Sequence, residues 1–350
     1  MLSEEASSVG ISMQRHDKPW TTSQTNVFEL RGETLNVLLT GATGYIGSHI
    51  VDYLSRDTSN TIIPLCRRLP EYFGNWKSRF EVVECDVTQL QDLTEIVPEK
   101  IDVVIHLAAS NNVDTEQMPE KALIVNGIGT RNMLEVARER GCKLFVYFSV
   151  VQVYGRYGKE AEGTITVDSP VVCGDDYALT HYVAEVYCRM YALRYNLNIG
   201  VVRVSNVFGC PVHPKIDRWS LVPGNLCLSA YKDGEIRLKS SGKQTRDFVS
   251  LQYVSESVEH LMKEARSGFN VYNLASENTF SILEVAKMVQ SRAGSLLKRE
   301  VRLISETEYP LRPNQFLVRN NLLGALEREK VRRELSNEIE KTLKMLMEAG

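Results

Sequence analysis

The stretch that decides the fold is Val37-Leu38-Leu39-Thr40-Gly41-Ala42-Thr43-Gly44-Tyr45-Ile46-Gly47. Its first three residues form an apolar run typical of a strand, and the spacing of Ile46, Ile50 and Leu54 predicts a helix. Between a strand and a helix, the first glycine permits a tight turn and the second lets the backbone approach a pyrophosphate. The third lets helix and strand pack closely. We therefore predict a dinucleotide-binding loop, with an ordinary glycine-rich turn as the alternative.

Strand-like runs alternate with helical patterns beyond this loop. The alternation predicts a parallel sheet with right-handed crossovers. The fold class is therefore α/β, a Rossmann-like doubly wound parallel sheet with a smaller C-terminal lobe for the substrate. The predicted strands after the loop are residues 62–65, 80–83, 103–105, 144–148 and 199–204.

Three regions are predicted along the chain. Residues 1–34 show no period and are interpreted as a mobile N-terminal extension, which could add a short strand or contact a partner. Residues 35–209 form the dinucleotide-binding domain. Residues 210–350 form mainly the substrate lobe, with segments at about 245–276 returning to the Rossmann domain. Late elements are predicted at 271–274 (strand) and at 279–292 and 321–348 (helices).

The composition excludes several classes of protein. The 350 residues carry 41 Lys and Arg against 44 Asp and Glu, a net charge of −3, and 43% are apolar. This balance argues against a disordered chain and against a nucleic-acid partner. No apolar run is long enough to span a membrane, and no secretory signal is expected. The seven scattered cysteines suit a reducing compartment and form no metal-binding pattern, so a cytoplasmic protein without a metal is expected.

Two arginines stand where the choice of dinucleotide is usually made. About 20 residues beyond such a glycine loop, an acid binds the adenosine ribose hydroxyls and an arginine accommodates a 2′-phosphate. Counting from Gly47 leads to Arg67 and Arg68, with no carboxylate nearby on the same strand. The sequence therefore favours NADP over NAD, unless the two arginines are merely solvated.

Further motifs in order along the chain resemble the extended short-chain dehydrogenase/reductase family, of the nucleotide-sugar epimerase/dehydratase type. Together they cover roughly residues 35–276. They are the T-G-x-x-G-x-x-G loop, Asp86-Val87, His106-Leu107-Ala108-Ala109, the N-x-x-G-T-x-N pattern of 126–132, Val153-Tyr154-Gly155, the R-x-x-N-x-F-G pattern of 203–209 and Arg246-Asp247-Phe248.

The resemblance implies roles for individual residues. Asn206 and Arg246 would contact the diphosphate of a nucleotide-sugar, for which an Arg fork is well suited. The alternative for Arg246 is a structural salt bridge. The residues implied in cofactor binding are Gly41, Thr43, Gly44, Tyr45, Ile46, Gly47, Asp86, Val87, Ala108 and Asn126, with Tyr177 and His181.

The catalytic positions depart from the family pattern. The family uses a Tyr as acid/base, a Lys four residues later and a Ser or Thr that bonds the same substrate oxygen. Tyr177 matches the Tyr, but His181 replaces the Lys and Val150 replaces the hydroxyl residue. Ser149 is adjacent, and it could serve only if the strand end is re-aimed, because neighbouring strand residues face opposite ways. Tyr177, His181 and Ser149 are the candidate catalytic residues, and a purely structural Tyr177 is the alternative.

These substitutions narrow the expected reaction. The dehydratase branch carries T-D-E where this chain has Val150-Val151-Gln152, so no acid/base pair for loss of water is expected. We therefore predict an NADP(H)-dependent oxidoreductase or epimerase acting on a nucleotide-linked sugar, by keto-sugar reduction or C4 epimerisation, with Tyr177 as proton donor. The alternatives are a non-catalytic descendant that binds the same ligands and a related enzyme acting on another carbonyl compound.

Two helical segments suggest self-association. Residues 126–140 and 177–196 resemble the helices through which family members pair, and the second carries Val183, Val186 and Met190 as surplus apolar surface. A homodimer is expected, with an intrachain role for these side chains as the alternative.

Overall fold

The computed structural model describes residues 26–28, 30, 34–155, 163–305 and 316–349. Most of the predicted N-terminal extension, 1–34, lies outside these residues. The strands are β1 (Val27–Phe28), β2 (Asn36–Thr40), β3 (Thr61–Cys66), β4 (Val83–Glu84), β5 (Val103–His106), β6 (Leu144–Val150), β7 (Gly163–Ile165), β8 (Ile199–Val204), β9 (Asn206–Phe208), β10 (Glu235–Leu238), β11 (Thr245–Ser250), β12 (Ala265–Arg266), β13 (Phe269–Leu274), β14 (Thr279–Ser281), β15 (Arg302–Ser305) and β16 (Phe316–Val318).

Helices fill most of the intervening chain. A π-helix, Ile124–Gly129, joins α5 to α6, and 3₁₀ turns occur at Glu71–Phe73 and Val151–Tyr154. The α-helices are α1 (Tyr45–Leu54), α2 (Trp76–Arg79), α3 (Leu90–Ile96), α4 (Asn112–Gln117), α5 (Pro119–Leu123), α6 (Thr130–Glu139), α7 (Asp176–Tyr195), α8 (Val222–Asp233), α9 (Leu251–Lys263), α10 (Ile282–Leu297) and α11 (Arg328–Ala349).

The centre of the molecule is a seven-stranded sheet in the order β13-β8-β6-β5-β2-β3-β4. All of its neighbouring pairs are parallel. The chain order reverses between β2 and β5, so the loops that follow these two strands diverge and leave a crevice at their carboxyl ends. The predicted Rossmann-like sheet is confirmed, and its switch point lies at the glycine loop.

Apolar side chains cover both faces of this sheet. Val37 and Leu39 belong to the core beneath α1 and α9, whereas Leu38 points to the core beneath α3, α6 and α7. The run in β2 is continuously apolar because a doubly wound sheet is buried on both sides. No helix in the described ranges is long and apolar enough to cross a membrane.

A smaller lobe lies over the carboxyl ends of the sheet. Its core joins α8, α10 and α11 to the sheet β14-β11-β9 and to the β10–β15 pair. β13 lies within 245–276 and forms the edge of the main sheet, while β11 belongs to the lobe. The domain boundaries themselves stay a prediction.

Several elements are shorter than their patterns predicted. The run 80–83 contributes only Val83 to β4, because Phe80 closes α2 through its N–H on the Trp76 carbonyl. The helix expected from residue 279 begins at Ile282, after Ser281 and Glu284 form a capping box. The helix expected from residue 321 begins at Arg328. In the N-terminal region, β1 pairs with β12.

Candidate active site

The glycine loop follows β2 and passes very close to the loop after β5. Gly41 has φ +66°, and a Cβ there would lie 2.8 Å from the Leu107 carbonyl carbon. A Cβ on Gly47 would lie 2.2 Å from the Gly41 oxygen. Only glycine fits these two positions, because the first needs a left-handed backbone and both need the missing side chain. The loop is thereby held flat against the end of the sheet.

The loop leads directly into α1. Gly44 occupies the N-cap and supplies no side chain to cap the helix. The first-turn N–H groups of α1 therefore remain available to an anion at the positive end of the helix dipole. The backbone at this end has the form that a dinucleotide pyrophosphate requires.

A cavity of about 510 Å³ extends from the glycine loop to the smaller lobe. Its volume lies in the usual range of small-molecule sites. Predicted site residues that line it are Gly41, Gly44, Tyr45, Ile46, Gly47, Ser149, Tyr177, His181, Asn206 and Arg246.

Tyr177 and His181 lie one helical turn apart on α7, whose N-terminus is capped by the Asp175 carboxylate. The ring of Tyr177 meets His181 edge-on, with centroids 4.9 Å apart. Burial and the nearby Asp175 raise the pKa of Tyr177 to about 12. The phenol therefore stays protonated throughout the physiological range and can donate a proton.

His181 lies deeper in the wall of the cavity and is 3% exposed. Burial lowers its pKa to about 4, so the imidazole is neutral at physiological pH. Its Nδ1 lies 2.9 Å from the Tyr147 hydroxyl on β6. A neutral ring cannot depress the pKa of Tyr177 as a lysine ammonium would, which agrees with the raised value.

Ser149 lines the cavity, but its hydroxyl already donates a hydrogen bond inside the protein. The hydroxyl donates to Glu185 Oε1 at 2.5 Å. Glu185 in turn accepts from Arg203 Nε at 3.0 Å and from Arg203 Nη2 at 2.6 Å. Arg203 Nη1 continues to the Tyr154 hydroxyl at 2.8 Å. Ser149 can therefore accept a hydrogen bond from a ligand, but it cannot donate one while this network is intact.

The two predicted arginines lie outside the residues that line the cavity. Arg67 and Arg68 follow β3 and are exposed. An acid does stand near them, on the neighbouring strand: Glu84 on β4. Its carboxylate accepts from the Leu69 N–H at 2.9 Å and forms an ion pair with Lys77 at 3.1 Å. Glu84 is thus occupied, and the arginines are the groups open to a ligand.

The other predicted cofactor residues are not among the residues that line the cavity. Asp86 Oδ1 accepts from the N–H and hydroxyl of Thr88, which fixes the turn after β4. Val87 is buried against α6, where its carbonyl accepts from Asn132. The Ala108 N–H donates to Thr40 Oγ1. Thr43 is half-buried in the glycine loop.

Asn126 is fully buried, and its amide is used inside the protein. Its Oδ1 accepts from the Ser110 N–H at 2.7 Å, and its Nδ2 donates to Thr180 Oγ1 at 3.0 Å. Asn126 therefore links the loop after β5 to Thr180 on α7, the residue before His181. Its two hydrogen bonds hold this loop and α7 together.

The two residues expected at a substrate diphosphate lie on adjacent strands of the lobe. Asn206 on β9 donates its Nδ2 to the Asp247 carbonyl at 2.9 Å, which leaves its amide oxygen toward the cavity side. Arg246 on β11 donates from Nη1 to the Thr245 carbonyl at 2.8 Å. Parallel pairing of β9 and β11 brings these distant sequence segments together.

Arg218 was missed by the sequence analysis. It lines the cavity, is only 4% exposed and stacks on the Tyr45 ring at 3.1 Å from the centroid. Its guanidinium thus makes a cation–π contact, and among the described residues it forms no ion pair with a carboxylate. A buried guanidinium of this kind favours an anionic ligand. No motif marks it; only its stacking in three dimensions reveals it.

Gln152 was noted in sequence only as a substitution for an acid. It lines the same cavity, and its buried Oε1 has no hydrogen-bond partner among the described residues. A buried acceptor without a donor costs free energy, so it is a position where a ligand hydroxyl or N–H would fit. In the same ranges, no group of three or more His, Cys, Asp or Glu side chains could hold a metal ion.

The fold and the cavity define a Rossmann-type dinucleotide-binding protein with a second lobe that covers the switch point. Comparison with known sequences gives the particular family. Residues 37–275 match the NAD dependent epimerase/dehydratase family. The chain belongs to this family, as its motifs indicated.

Two curated relatives are named for reactions of nucleotide-linked sugars. UDP-glucuronic acid decarboxylase 1 of Xenopus tropicalis is 29% identical over 285 residues, which cover 78% of this chain and 63% of that protein. The dTDP-D-glucose 4,6-dehydratase of Homo sapiens is 29% identical over 269 residues, covering 73% of each chain. This chain thus spans less than two thirds of the length of the first of these relatives.

Solved structures share the fold. UDP-glucuronic acid 4-epimerase from Bacillus cereus in complex with NAD superposes with a TM-score of 0.72 at 21% identity, covering 90% of this chain and 99% of that one. UDP-N-acetylglucosamine 4-epimerase from Methanobrevibacter ruminantium, in complex with UDP-N-acetylmuramic acid, gives 0.74 at 19% identity, covering 91% and 100%. At these identities the likeness establishes the architecture.

Proposed function

We propose that this protein is an NADP(H)-dependent oxidoreductase or epimerase of a nucleotide-linked sugar. Keto-sugar reduction fits its site best, with C4 epimerisation as the related possibility. The observation that carries the proposal is Tyr177, whose phenol lies in the cavity wall beside the ring of His181. Reduction of a ketone needs a proton donor at the oxygen, which such a phenol supplies without first losing a proton.

The cavity fits a dinucleotide. The loop at Gly41 and Gly47 packs so closely on neighbouring backbone that a Cβ at either position would collide with it, and the α1 N-terminus has no side-chain cap. A bound dinucleotide would supply the hydride. Tyr45 and Ile46 would hold its phosphates through backbone N–H groups, next to Gly44, whose own N–H donates to the Gly41 carbonyl. Asp86 and Val87 would lie beside the adenosine, and Ala108 would contact the cofactor from the loop after β5.

Each catalytic candidate has a role set by its hydrogen bonds. Tyr177 would donate the proton to the substrate oxygen. His181 is neutral and would bind a hydroxyl of the cofactor rather than change the charge of Tyr177. The Ser149 hydroxyl donates its hydrogen bond to Glu185, so its oxygen would accept one from a substrate hydroxyl. Reduction tolerates this arrangement better than alcohol oxidation does, because oxidation needs a base.

Arg67 and Arg68 support NADP over NAD. Both are exposed at the end of β3, while Glu84 on the next strand is held by Leu69 and Lys77. Relatives of the same fold were solved with NAD, and NAD is the alternative here. Titration of the protein with NADPH and NADH distinguishes them: we expect tighter binding of NADPH, lost on replacing both arginines with Ala. Tighter binding of NADH than of NADPH by the wild type would assign NAD, and an NADPH affinity unchanged in the variant would remove the two arginines from cofactor binding.

The substrate proposal depends on three phosphate-binding groups. Asn206, Arg246 and Arg218 all line the cavity, and Arg218 stacks on Tyr45 at the glycine loop. Two guanidinium groups and an amide suit a diphosphate. The relatives named above act on UDP- and dTDP-sugars by their names, which supports a nucleotide-sugar here. Loss of water is not proposed, because Val150-Val151-Gln152 provides no acid/base pair.

Single-turnover hydride transfer tests the proposal. The protein is mixed with NADPH and a panel of keto-sugar nucleotides, and the absorbance of the reduced nicotinamide is followed together with product mass. We expect oxidation of one equivalent of NADPH with one substrate of the panel. Tight binding of NADPH and of sugar nucleotides with no transfer in either direction would contradict it.

Binding of both ligands without hydride transfer would support the alternative, a non-catalytic descendant that binds dinucleotide and sugar nucleotide. Val150 in place of a hydroxyl residue, and the engagement of Ser149 by Glu185, are the observations that favour it. Such a protein would be stabilised by its ligands, with a higher melting temperature, but would turn over none of them.

We also propose a homodimer, with α5, α7 and the π-helix at its interface. These elements pack side by side and expose a large apolar surface. Sedimentation velocity of the wild type and of Leu193→Glu tests it: we expect a dimer and a monomer, and a monomeric wild type would contradict it. The exposed apolar residues are Leu123, Ile124, Ile128, Leu179, Val186, Met190 and Leu193.

A further inference from the structure

We propose that Tyr147 fixes the tautomer of His181, so that the imidazole carries its proton on Nε2 and presents a neutral hydrogen-bond donor to the cavity. Tyr147 is thereby a positioning residue. The tautomer itself follows from the hydrogen bonds of the protein alone. Only the last step, in which the donor meets a hydroxyl of the nicotinamide ribose, rests on the proposed function.

The two side chains form an isolated buried pair. Tyr147 is 1% exposed and His181 is 3% exposed. The Tyr147 hydroxyl lies 2.9 Å from His181 Nδ1. Within the described ranges, this nitrogen is the one hydrogen-bond partner of the hydroxyl. The pair joins strand β6 to helix α7 at the inner end of the cavity.

The number of protons available decides the direction of this bond. The ring carries a single N–H, because burial lowers the pKa of His181 to about 4. Burial also raises the pKa of Tyr147, so the phenol keeps its proton. If Nδ1 carried the ring proton, the buried Tyr147 O–H would have no acceptor. An unsatisfied buried donor is costly, so Tyr147 donates to Nδ1 and the ring proton resides on Nε2.

The Nε2 atom is on the opposite edge of the ring from Nδ1. His181 lines the cavity, and among the described residues Nε2 has no hydrogen-bond partner. It is therefore a fixed N–H donor available to a ligand. His106 is different, because both of its ring nitrogens lie within 3.0 Å of threonine hydroxyls and none is left for a ligand.

This arrangement retains half of what a lysine at position 181 would do. A lysine ammonium donates hydrogen bonds and also places a positive charge beside the phenol. The Tyr147–His181 pair keeps the donor and omits the charge. The pair can thus hold a ribose hydroxyl while Tyr177 remains a protonated acid.

Histidine ¹⁵N NMR on the full chain tests the inference without substrate or turnover. The chain has six histidines, and the signal of His181 is assigned by its loss in His181→Gln. In the wild type at neutral pH we expect a neutral ring with the proton on Nε2. Tyr147→Phe removes the hydrogen bond to His181 Nδ1. The ratio of the Nε2–H form to the Nδ1–H form should then fall about fivefold, because one net hydrogen bond corresponds to about that factor.

Tyr191→Phe is the matched control. Tyr191 is also buried next to α6, on the same helix as His181, and its hydroxyl donates to Glu135 at 2.7 Å. Its removal should leave the His181 signal unchanged. A wild-type ring with its proton on Nδ1, or an unchanged tautomer ratio in Tyr147→Phe, would overturn the inference; the first of these does not depend on the folding of Tyr147→Phe.

Cofactor titration separates the tautomer from the proposed function. With NADPH bound, the His181 Nε2–H signal should shift, and Tyr147→Phe should weaken NADPH binding about fivefold. An Nε2–H ring with no binding of any dinucleotide would refute the proposed function and keep the tautomer. Binding and turnover with an Nδ1–H ring would keep the function and refute the role of Tyr147.

Discussion

The two sides of the cavity differ in whether backbone groups or side chains define the site. On the side of β2 and α1, the features that matter are backbone features: the left-handed Gly41, the close approach of Gly47 and the uncapped end of α1. On the side of β6 and α7, the features that matter are side chains, and there Val150 and His181 replace the family's groups. Ligand binding and chemistry can therefore change independently within one cavity.

The altered side is nonetheless well ordered. The Ser149–Glu185–Arg203 network is buried, and its charges are paired in a bidentate ion pair. The neutral His181 is bonded to Tyr147. Because these polar groups have hydrogen-bond partners, the side of β6 and α7 keeps a defined polar site although it lacks the family's residues.

The largest effect is expected at the phenol. Tyr177→Phe removes the one proposed proton donor and should lower the rate of single-turnover reduction by about 10²–10⁴-fold. Binding of NADPH should change little, because the glycine loop is untouched. Tyr191→Phe on the same helix, which bonds Glu135, should keep the wild-type rate. An unchanged rate in Tyr177→Phe would remove Tyr177 from the mechanism.

Gly41→Ala should come next, with a loss of NADPH affinity of about 10²-fold. The new Cβ would lie 2.8 Å from the Leu107 carbonyl carbon, so one of the two loops must move away from the pyrophosphate position. Gly141→Ala is a matched control, because Gly141 has φ +65° and open space around it. Both variants bear the left-handed backbone cost of roughly 1 kcal/mol. Isothermal titration calorimetry compares them; equal affinities would mean that the loop does not bind the cofactor.

His181→Lys should change the pH dependence by introducing the missing charge. A nearby ammonium favours the phenolate and lowers the pKa of Tyr177 from about 12. Oxidation of the sugar alcohol needs the deprotonated phenol. Its rate at neutral pH should rise about tenfold, because a pKa lower by about one makes the phenolate about ten times more abundant. Reduction needs the protonated phenol, so its rate should fall with rising pH earlier than in the wild type. Identical pH–rate profiles would show that position 181 does not set the charge of Tyr177.

The smallest effect is expected for Ser149→Ala. Its hydroxyl proton is bonded to Glu185, so the side chain can only accept from a ligand. We expect the reduction rate to fall by less than about tenfold, whereas removal of a donor aimed at the reacting oxygen typically costs about 10²–10³-fold. A loss of that larger size would show that Ser149 releases Glu185 during the reaction and donates to the substrate.

Much of the architecture was predictable because its signals are local. The apolar run before Gly41, the glycine spacing and the alternating elements identify the sheet and its switch point, and the motifs identify the family. Boundaries were less predictable at residues 80–83 and 321–327. There, Phe80 closes a helix and Asn321 bonds the Asn273 N–H from a distant strand, contacts that no local pattern contains.

By itself, the sequence determined the fold class, the glycine loop and the positions of Tyr177, His181, Asn206 and Arg246. The fold class and the loop follow from short-range spacing, which the backbone converts directly into strand, turn and helix, whereas the four side chains follow from the resemblance to the family. Only the tertiary structure decided that His181 is neutral and hydrogen-bonded to Tyr147, that the Ser149 hydroxyl donates a hydrogen bond to Glu185 and that Arg218 lines the cavity. Protonation and hydrogen-bond direction depend on burial and on partners distant in the chain, which exist only once the sheet and the lobe have packed together.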